Sequence, residues 1–196
     1  LSHHRPHVSG FFFLWYNFNV RIIKKDSLTS ITYCFIDASN IIYGTRNEGW
    51  KVDFKKLFKY LKTKFNVSKA FFYFGKDSKN LAQGKFLRVL EQFGYTLRVK
   101  EIKRYYKKTK ANCDVDLTMD MLILSQEYSR AVVLSGDSDF LPLFEYLKAK
   151  KHKEITIIAF SKKTSKDIKR FAKTKFIALE NQKYLIERKP KKWGGP

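Results

Sequence analysis

Residues 31–40 read Ile-Thr-Tyr-Cys-Phe-Ile-Asp-Ala-Ser-Asn. The run from Ile31 to Ile36 is mostly apolar and ends at Asp37, a pattern typical of a short strand buried on both faces of a sheet. Strands of this kind belong to parallel sheets, whose connections cover both faces with helices. We therefore place Asp37 at the carboxyl end of the first strand and interpret the rest of the chain from that point.

Similar apolar runs recur along the chain and alternate with segments of helical spacing. This alternation predicts an α/β fold, a three-layer Rossmann-like parallel sheet with helices on both faces. Asp53 is the expected N-cap of the first predicted helix, and Gly94 should follow the end of the second. The predicted strands are 70–74, 95–102, 131–134, 155–160 and 176–179. One predicted helix begins near 54, and the others are 81–93, 113–128, 140–150 and 165–172, with a basic loop at 103–110.

The two ends of the chain are expected to lie outside this fold. Residues 1–28 include an aromatic run that is too short for a membrane-spanning helix, and the sequence leaves open whether they belong to the domain. We assign residues 29–181 to one domain. Residues 182–196 form a basic tail that we expect to be disordered, and we expect no membrane partner.

The charge of the chain favours a polyanionic partner. Lys and Arg total 40 against 18 Asp and Glu, so the formal net charge is +22. Such a field attracts RNA, DNA or an anionic membrane surface, although a lysine-rich solvated face is the simpler alternative. The two cysteines, Cys34 and Cys113, are too few for a disulfide framework or a common zinc site. We expect reduced thiols and a cytoplasmic protein.

Acidic residues concentrate where a parallel sheet places its ligands, beyond the carboxyl ends of the strands. Asp37 follows the first strand, and Asp137 and Asp139 follow the strand at 131–134. At or near the start of the intervening helix lie Asp114, Asp116 and Asp120.

Each of these acids also fits a structural role. Asp37 could cap a turn, and Asp114 could favour a helix dipole. Asp137 or Asp139 could cap the following helix. A cluster of carboxylates, however, repels itself, and a cation relieves that cost. Hard oxygen ligands select Mg²⁺ or Mn²⁺, which suits hydrolysis of a phosphodiester.

Three blocks of the sequence resemble the NYN domain, most of all its LabA-like branch within the PIN-like nuclease superfamily. They are Phe-Ile-Asp-Ala-Ser-Asn at 35–40, Cys-Asp-Val-Asp-Leu with Asp-Met at 113–121, and Ser-Gly-Asp-Ser-Asp-Phe-Leu-Pro-Leu at 135–143. The resemblance spans roughly residues 31–180. One departure precedes the central block, where Lys110-Ala111-Asn112 replaces the family's basic residue and glycine.

The resemblance implies a PIN-like sheet and an endoribonuclease site dependent on Mg²⁺ or Mn²⁺. It implies that the catalytic and metal-binding residues are Asp37, Asp114, Asp137 and Asp139. Supporting roles fall to Asn40, Ser135, Asp116 and Asp120. Some members of the LabA-like branch are known chiefly as regulators, so membership alone does not establish catalysis.

A basic and aromatic segment before the central helix is the candidate nucleic-acid contact, with a solvated loop as the alternative. It comprises Lys103, Arg104, Tyr105, Tyr106, Lys107 and Lys108. Our hypothesis is a metal-dependent endoribonuclease whose partner is RNA. Two alternatives stay open: an RNA-binding or regulatory protein that does not cut, and a DNA nuclease. The sequence also leaves open whether the protein forms a homodimer.

Overall fold

The structure, a computed structural model, describes residues 30–105, 108–110 and 113–189, without the side chains of 103–105 and 108–110. Its centre is a parallel sheet of the strands β1 (Thr32–Asp37), β2 (Val67–Lys76), β3 (Tyr95–Glu101), β6 (Arg130–Leu134), β7 (Glu154–Ala159) and β8 (Phe176–Ala178). A separate antiparallel pair consists of β4 (Lys103–Tyr105) and β5 (Lys108–Lys110). The strand order in the parallel sheet is β3-β2-β1-β6-β7-β8.

Helices cover both faces of the sheet, which confirms the predicted three-layer α/β fold. One face carries α1 (Ala38–Asn47), α2 (Phe54–Phe65), α3 (Leu81–Gln92) and the short α7 (Lys183–Ile186). The other carries α4 (Asp114–Ile123), α5 (Leu141–Lys151) and α6 (Lys166–Ala172).

The alternation of side chains along β1 separates two hydrophobic cores. Cys34 and Ile36 join the core under α1–α3, whereas Tyr33 and Phe35 join the core under α4–α6. All of these side chains are buried. The run that ends at Asp37 is apolar on both sides because each side packs against a helical layer, and each fully buried large side chain contributes roughly 1.5–3 kcal/mol. Strand β1 therefore holds the backbone of Asp37 rigidly in place.

Local signals set the bounds of two helices as predicted. Asp53 caps α2, because its Oδ1 accepts hydrogen bonds from the backbone N–H groups of Lys55 and Lys56 at 3.0 and 3.1 Å. Gly94 follows α3 with a φ of 99°, a left-handed conformation that favours glycine. A Cβ at this position would also press against the ring of Phe58.

Three predicted segments differ from the structure. The helix expected at 113–128 ends at Ile123 and continues as a 3₁₀ turn at Leu124–Gln126. The segment expected to be a basic loop contains the paired strands β4 and β5. The described part of the tail expected to be disordered, residues 182–189, includes α7, whose Ile186 is buried in the core. This segment is also fixed by the backbone N–H of Arg188, which donates to the carbonyl of Lys51 at 2.8 Å. The prediction for residues 190–196 lies outside the described residues.

None of the helices in the described part of the chain combines the length and the apolar character of a membrane-spanning segment.

Candidate active site at the carboxyl edge of the sheet

The strand order reverses between β1 and β6, and this reversal opens a crevice at the carboxyl edge of the sheet. Residues of β1 lie beside those of β6 in register, with Ile36 opposite Leu134. Asp37 ends β1, and Ser135 comes directly after β6. In open α/β sheets this is the position where ligands bind.

A buried serine joins the two sides of the crevice. The Ser135 hydroxyl donates to Asp37 Oδ2 at 3.3 Å and accepts from the backbone N–H of Asp137, also at 3.3 Å. The other oxygen of Asp37 accepts from the backbone N–H of Asn40 at 3.1 Å, which makes Asp37 the N-cap of α1. The Asp37 carboxylate is therefore oriented by neutral donors, which fix its position without cancelling its charge.

The carboxylate of Asp114 acts on Asp37 from the start of α4. Burial raises the pKa of Asp37, and the charge of Asp114 raises it further. The hydrogen bonds from Asn40 and Ser135 oppose this effect without overcoming it. Asp37 and Asp114 are thus close enough for their charges to interact, and a bound cation would relieve the repulsion between them.

The loop after β6 carries the other two predicted acids. Asp137 is half-buried and caps the 3₁₀ turn Ser138–Phe140, because its Oδ1 accepts from the backbone N–H of Asp139 at 3.0 Å. The side chain of Asp139 is exposed. Gly136 is required here because a Cβ would collide with the Thr164 hydroxyl. Asp137 therefore connects to Asp37 through Ser135, while Asp139 lies at the solvent side of the same loop.

Two supporting residues from the sequence analysis have cationic partners. Asp120 accepts from Arg98 Nε at 2.6 Å and from the Tyr73 hydroxyl at 2.9 Å. Asp116 accepts from Lys100 Nζ at 2.8 Å. Arg98 and Lys100 belong to β3, so these acids attach α4 to the sheet. Their charges are compensated by cations of the protein, whereas the Asn40 and Ser135 donors to Asp37 are neutral.

Cys113, at the start of α4, remains a neutral thiol at physiological pH. Burial raises its pKa to about 11, and the charge of Asp116 adds to the shift. The carboxylates of Asp37 and Asp114 are the candidate hard donors at this edge.

The donor chemistry suits a hard divalent cation such as Mg²⁺ or Mn²⁺. Asp37 and Asp114 provide two carboxylates whose mutual repulsion a cation would reduce. Within the ranges that the structure describes, no group of three or more His, Cys, Asp or Glu side chains is assembled to hold a metal ion. The four-aspartate metal site therefore stays a prediction, with Asp37 and Asp114 as its best-supported pair.

The predicted nucleic-acid segment is only partly covered by the structure. Its backbone forms β4 and β5, whereas Tyr106 and Lys107 and the side chains of the two strands lie outside the described part. The contacts proposed for Lys103 to Lys108 stay a prediction.

Helix α1, which follows Asp37 directly, was not predicted from the sequence. The available signal was the helical spacing of its buried side chains Ala38, Ile41 and Thr45. The outer side of α1 borders a cleft of about 480 Å³ at the carboxyl edge, and Tyr43 and Arg46 line it.

Comparisons with known proteins agree with this architecture. A family model described as the NYN domain matches residues 32–180. The chain is 29% identical over 164 residues to the low amplitude and bright protein LabA of Synechococcus elongatus, covering 79% of this chain and 86% of that protein. A crystal structure of a protein of unknown function from Vibrio parahaemolyticus is similar in fold, with a TM-score of 0.71 and 23% identity over 83% of this chain and 99% of that one.

Proposed function

Because the chain belongs to the NYN domain family, we propose that it is a metal-dependent endoribonuclease that hydrolyses RNA at the carboxyl edge of its sheet. The main support for this proposal is the environment of the Asp37 carboxylate. Its carboxylate is held in place by neutral donors and is raised in pKa by burial and by Asp114. A site that only bound phosphate would gain nothing from two neighbouring acids beside the backbone of its ligand.

The residues at the carboxyl edge would have different roles. Asp37 and Asp114 would hold the ion, with Asp137 and Asp139 completing the set as the resemblance implies. Mg²⁺ or Mn²⁺ bound there would supply Lewis-acid activation of water and would stabilise charge on the phosphate. Ser135 keeps Asp37 oriented through its hydrogen bond, and the rigid strand β1 limits movement of the carboxylate. The net charge of +22 draws the RNA backbone to the surface.

The test is incubation of the protein with labelled single-stranded RNA and DNA in Mg²⁺, Mn²⁺ or EDTA. Asp37→Asn removes one charge from the edge and keeps the size of the side chain. Asp167→Asn is the matched control, because Asp167 lies on the exposed surface of α6 and pairs with Arg170. We expect metal-dependent RNA cleavage by wild type and by the control, and none by Asp37→Asn. Cleavage that survives EDTA, or that Asp37→Asn retains, contradicts the proposal.

A second candidate function is RNA binding without cleavage, and one observation favours it. In the described residues, no three acids are assembled for a metal. A wild-type protein that binds RNA and leaves it intact in both metals would establish this function instead. Cleavage of DNA in preference to RNA would point to a DNA nuclease.

A further inference from the structure

A cleft beside the acidic edge has the chemistry of a nucleotide site. It has a volume of about 480 Å³, within the range of small-ligand pockets. It lies between α1, the carboxyl end of β2 and the amino end of α3. The segment around Lys51 and Arg188 closes its remaining side.

The cleft is positively charged. Three basic side chains line it: Arg46, Lys51 and Arg188. No Asp or Glu is among the described residues of its lining. Asp77 lies at the rim, where its backbone N–H donates to Oε1 of the lining residue Gln83 at 2.7 Å. Basic side chains gathered without acids in a concave surface favour an anionic group such as phosphate.

The cleft also offers aromatic surface. Tyr43 is 61% exposed on the outer side of α1 and presents a ring to solvent. The opposite wall contains Phe54, Phe74 and Phe86, which pack against one another with ring centroids 5.4 and 6.0 Å apart. Rings beside cations are the combination that binds single-stranded nucleic acid, because bases stack on the rings while phosphates pair with the cations.

The cleft lies at the same edge of the sheet as Asp37. Ser39, two residues after Asp37, lines the cleft. Asp37 lies opposite Tyr73 on β2, and the next two residues of that strand, Phe74 and Gly75, also line it. Neighbouring strands are ~4.8 Å apart, so the backbone of Asp37 lies about one strand spacing from the end of β2 that borders the cleft. A strand of RNA with a phosphate at Asp37 could place an adjacent nucleotide in the cleft.

We propose that this cleft binds one nucleotide of single-stranded RNA next to the scissile phosphate, with its base on Tyr43 and its phosphate on Arg46 and Lys51. The inference rests on the proposed function for its choice of RNA as the ligand. It explains how a fold with an open acidic edge holds a flexible substrate: a nucleotide bound beside Asp37 limits the positions that the reacting phosphate can adopt.

The first test measures RNA binding in EDTA, where cleavage does not interfere. Fluorescence anisotropy of a short labelled single-stranded RNA is compared for Arg46→Ala/Lys51→Ala and for Lys150→Ala/Arg170→Ala. Both pairs remove one Arg and one Lys, but Lys150 and Arg170 are residues of α5 and α6 outside the cleft. We expect the cleft pair to bind at least about ten-fold more weakly than the control pair. Its salt dependence should also become shallower, by about 0.7 in slope for each phosphate that the variant fails to neutralise.

The second test examines the ring. Tyr43→Ala should weaken binding about ten-fold, because stacking of one base on an aromatic side chain contributes about that factor or more. Tyr43→Phe keeps the ring and should bind like wild type. Since Tyr43 is exposed, both variants should fold normally, which thermal unfolding checks.

Several outcomes overturn the inference. The cleft pair could bind RNA as well as the control pair, or Tyr43→Ala could bind like wild type. Displacement of RNA by an equimolar free nucleoside monophosphate would identify the occupant as a free nucleotide instead. The two proposals fail separately: loss of RNA binding in the cleft variants of a protein that never cuts supports the cleft and contradicts the nuclease. Cleavage by a wild type whose cleft variants bind like the control supports the nuclease and contradicts the cleft.

Discussion

Helix α4 carries acidic side chains toward two regions of the molecule, and the interactions of the acids differ between the two regions. Toward β3, Asp116 and Asp120 meet Lys100 and Arg98 at 2.8 and 2.6 Å. Toward the crevice, Asp114 acts on Asp37, which is oriented by the Ser135 hydroxyl and the backbone N–H of Asn40. In the first region protein cations cancel the charge, whereas in the second the donors to Asp37 are neutral.

The difference separates acids paired with protein cations from Asp37, whose hydrogen-bond donors are neutral. An ion pair gives a carboxylate a cation from within the protein and leaves little need for another. A carboxylate held by neutral donors keeps its full charge, and burial raises the free energy of that charge. Acids of this second kind cluster at functional sites. We therefore expect substitutions in the two regions to affect different properties.

The largest expected effect is the loss of RNA cleavage in Asp37→Asn, by more than about 100-fold, since losing an outer partner of a metal site alone costs about 10–100-fold. Stability should not fall with activity. Because the folded protein raises the pKa of Asp37, the ionised side chain disfavours folding at neutral pH, and the neutral amide removes that cost. Cleavage rates and thermal unfolding in EDTA measure the two effects. If Asp37→Asn lost activity only because it unfolded, the two regions would not differ in the way proposed.

Ser135→Ala should reduce cleavage by about 10–100-fold, because it removes the hydroxyl that orients Asp37 and receives the Asp137 N–H. The substitution leaves all four acids in place. Ser135→Thr retains a hydroxyl, but Ser135 is fully buried and the added methyl must be accommodated. Single-turnover cleavage by Ser135→Ala under saturating metal is the direct measurement, and wild-type rates would show that the hydroxyl has no positioning role.

Asp120→Asn should lower the free energy of unfolding by about 1–2 kcal/mol and leave cleavage intact. It breaks the pair with Arg98, whose side chain is 41% exposed, so solvent screening reduces the effect below that of a buried pair. The Tyr73 hydroxyl keeps an oxygen to which it can donate. Urea denaturation measures the change in stability. A large drop in activity at unchanged stability would show that Asp120 acts in the site. It would contradict the proposed division between the two regions.

Asp116→Asn gives the smallest effect, with no resolvable change in stability and no change in cleavage. Both Asp116 and Lys100 are 48% exposed, and ion pairs of this kind contribute little. The same denaturation and cleavage assays apply. Loss of activity here would show that the charge of Asp116, and not only that of Asp114, acts in the crevice.

The strands and caps that position the site could be predicted because the sequence signals for them are local. The strand β1 is marked by an apolar run, and that run ends at Asp37. The caps at Asp53 and Asp137 are likewise short-range signals, since each side chain bonds to a backbone N–H within three residues. Rules for parallel sheets then placed the carboxyl ends of β1 and β6 at one edge.

Other features depended on packing between distant segments. Helix α1 was missed because its buried side is built largely from small residues, including Gly44, where a Cβ would collide with the ring of Phe160. Such a surface has few of the large apolar side chains that mark a helix. The partners of Asp116 and Asp120 lie 16 and 22 residues away on β3, and only the path of α4 across the sheet brings them together.

Helix α7 was missed for a related reason. The chain after residue 182 is rich in charged residues, and composition of this kind predicts disorder. A single apolar side chain, Ile186, enters the core and fixes α7 beside α2. One buried anchor in a polar segment has no periodicity by which to detect it.

We expect Asp37 and its neighbours to hold a divalent cation and the acids facing β3 not to hold one. Titration of the full chain with Mn²⁺, followed by electron paramagnetic resonance of the free ion, measures this difference. Asp37→Asn and Asp116→Asn each differ from wild type by one side chain at constant size. We expect a Mn²⁺ site in wild type and in Asp116→Asn, and its loss in Asp37→Asn. Equal binding by all three proteins, or no binding by wild type, would contradict it.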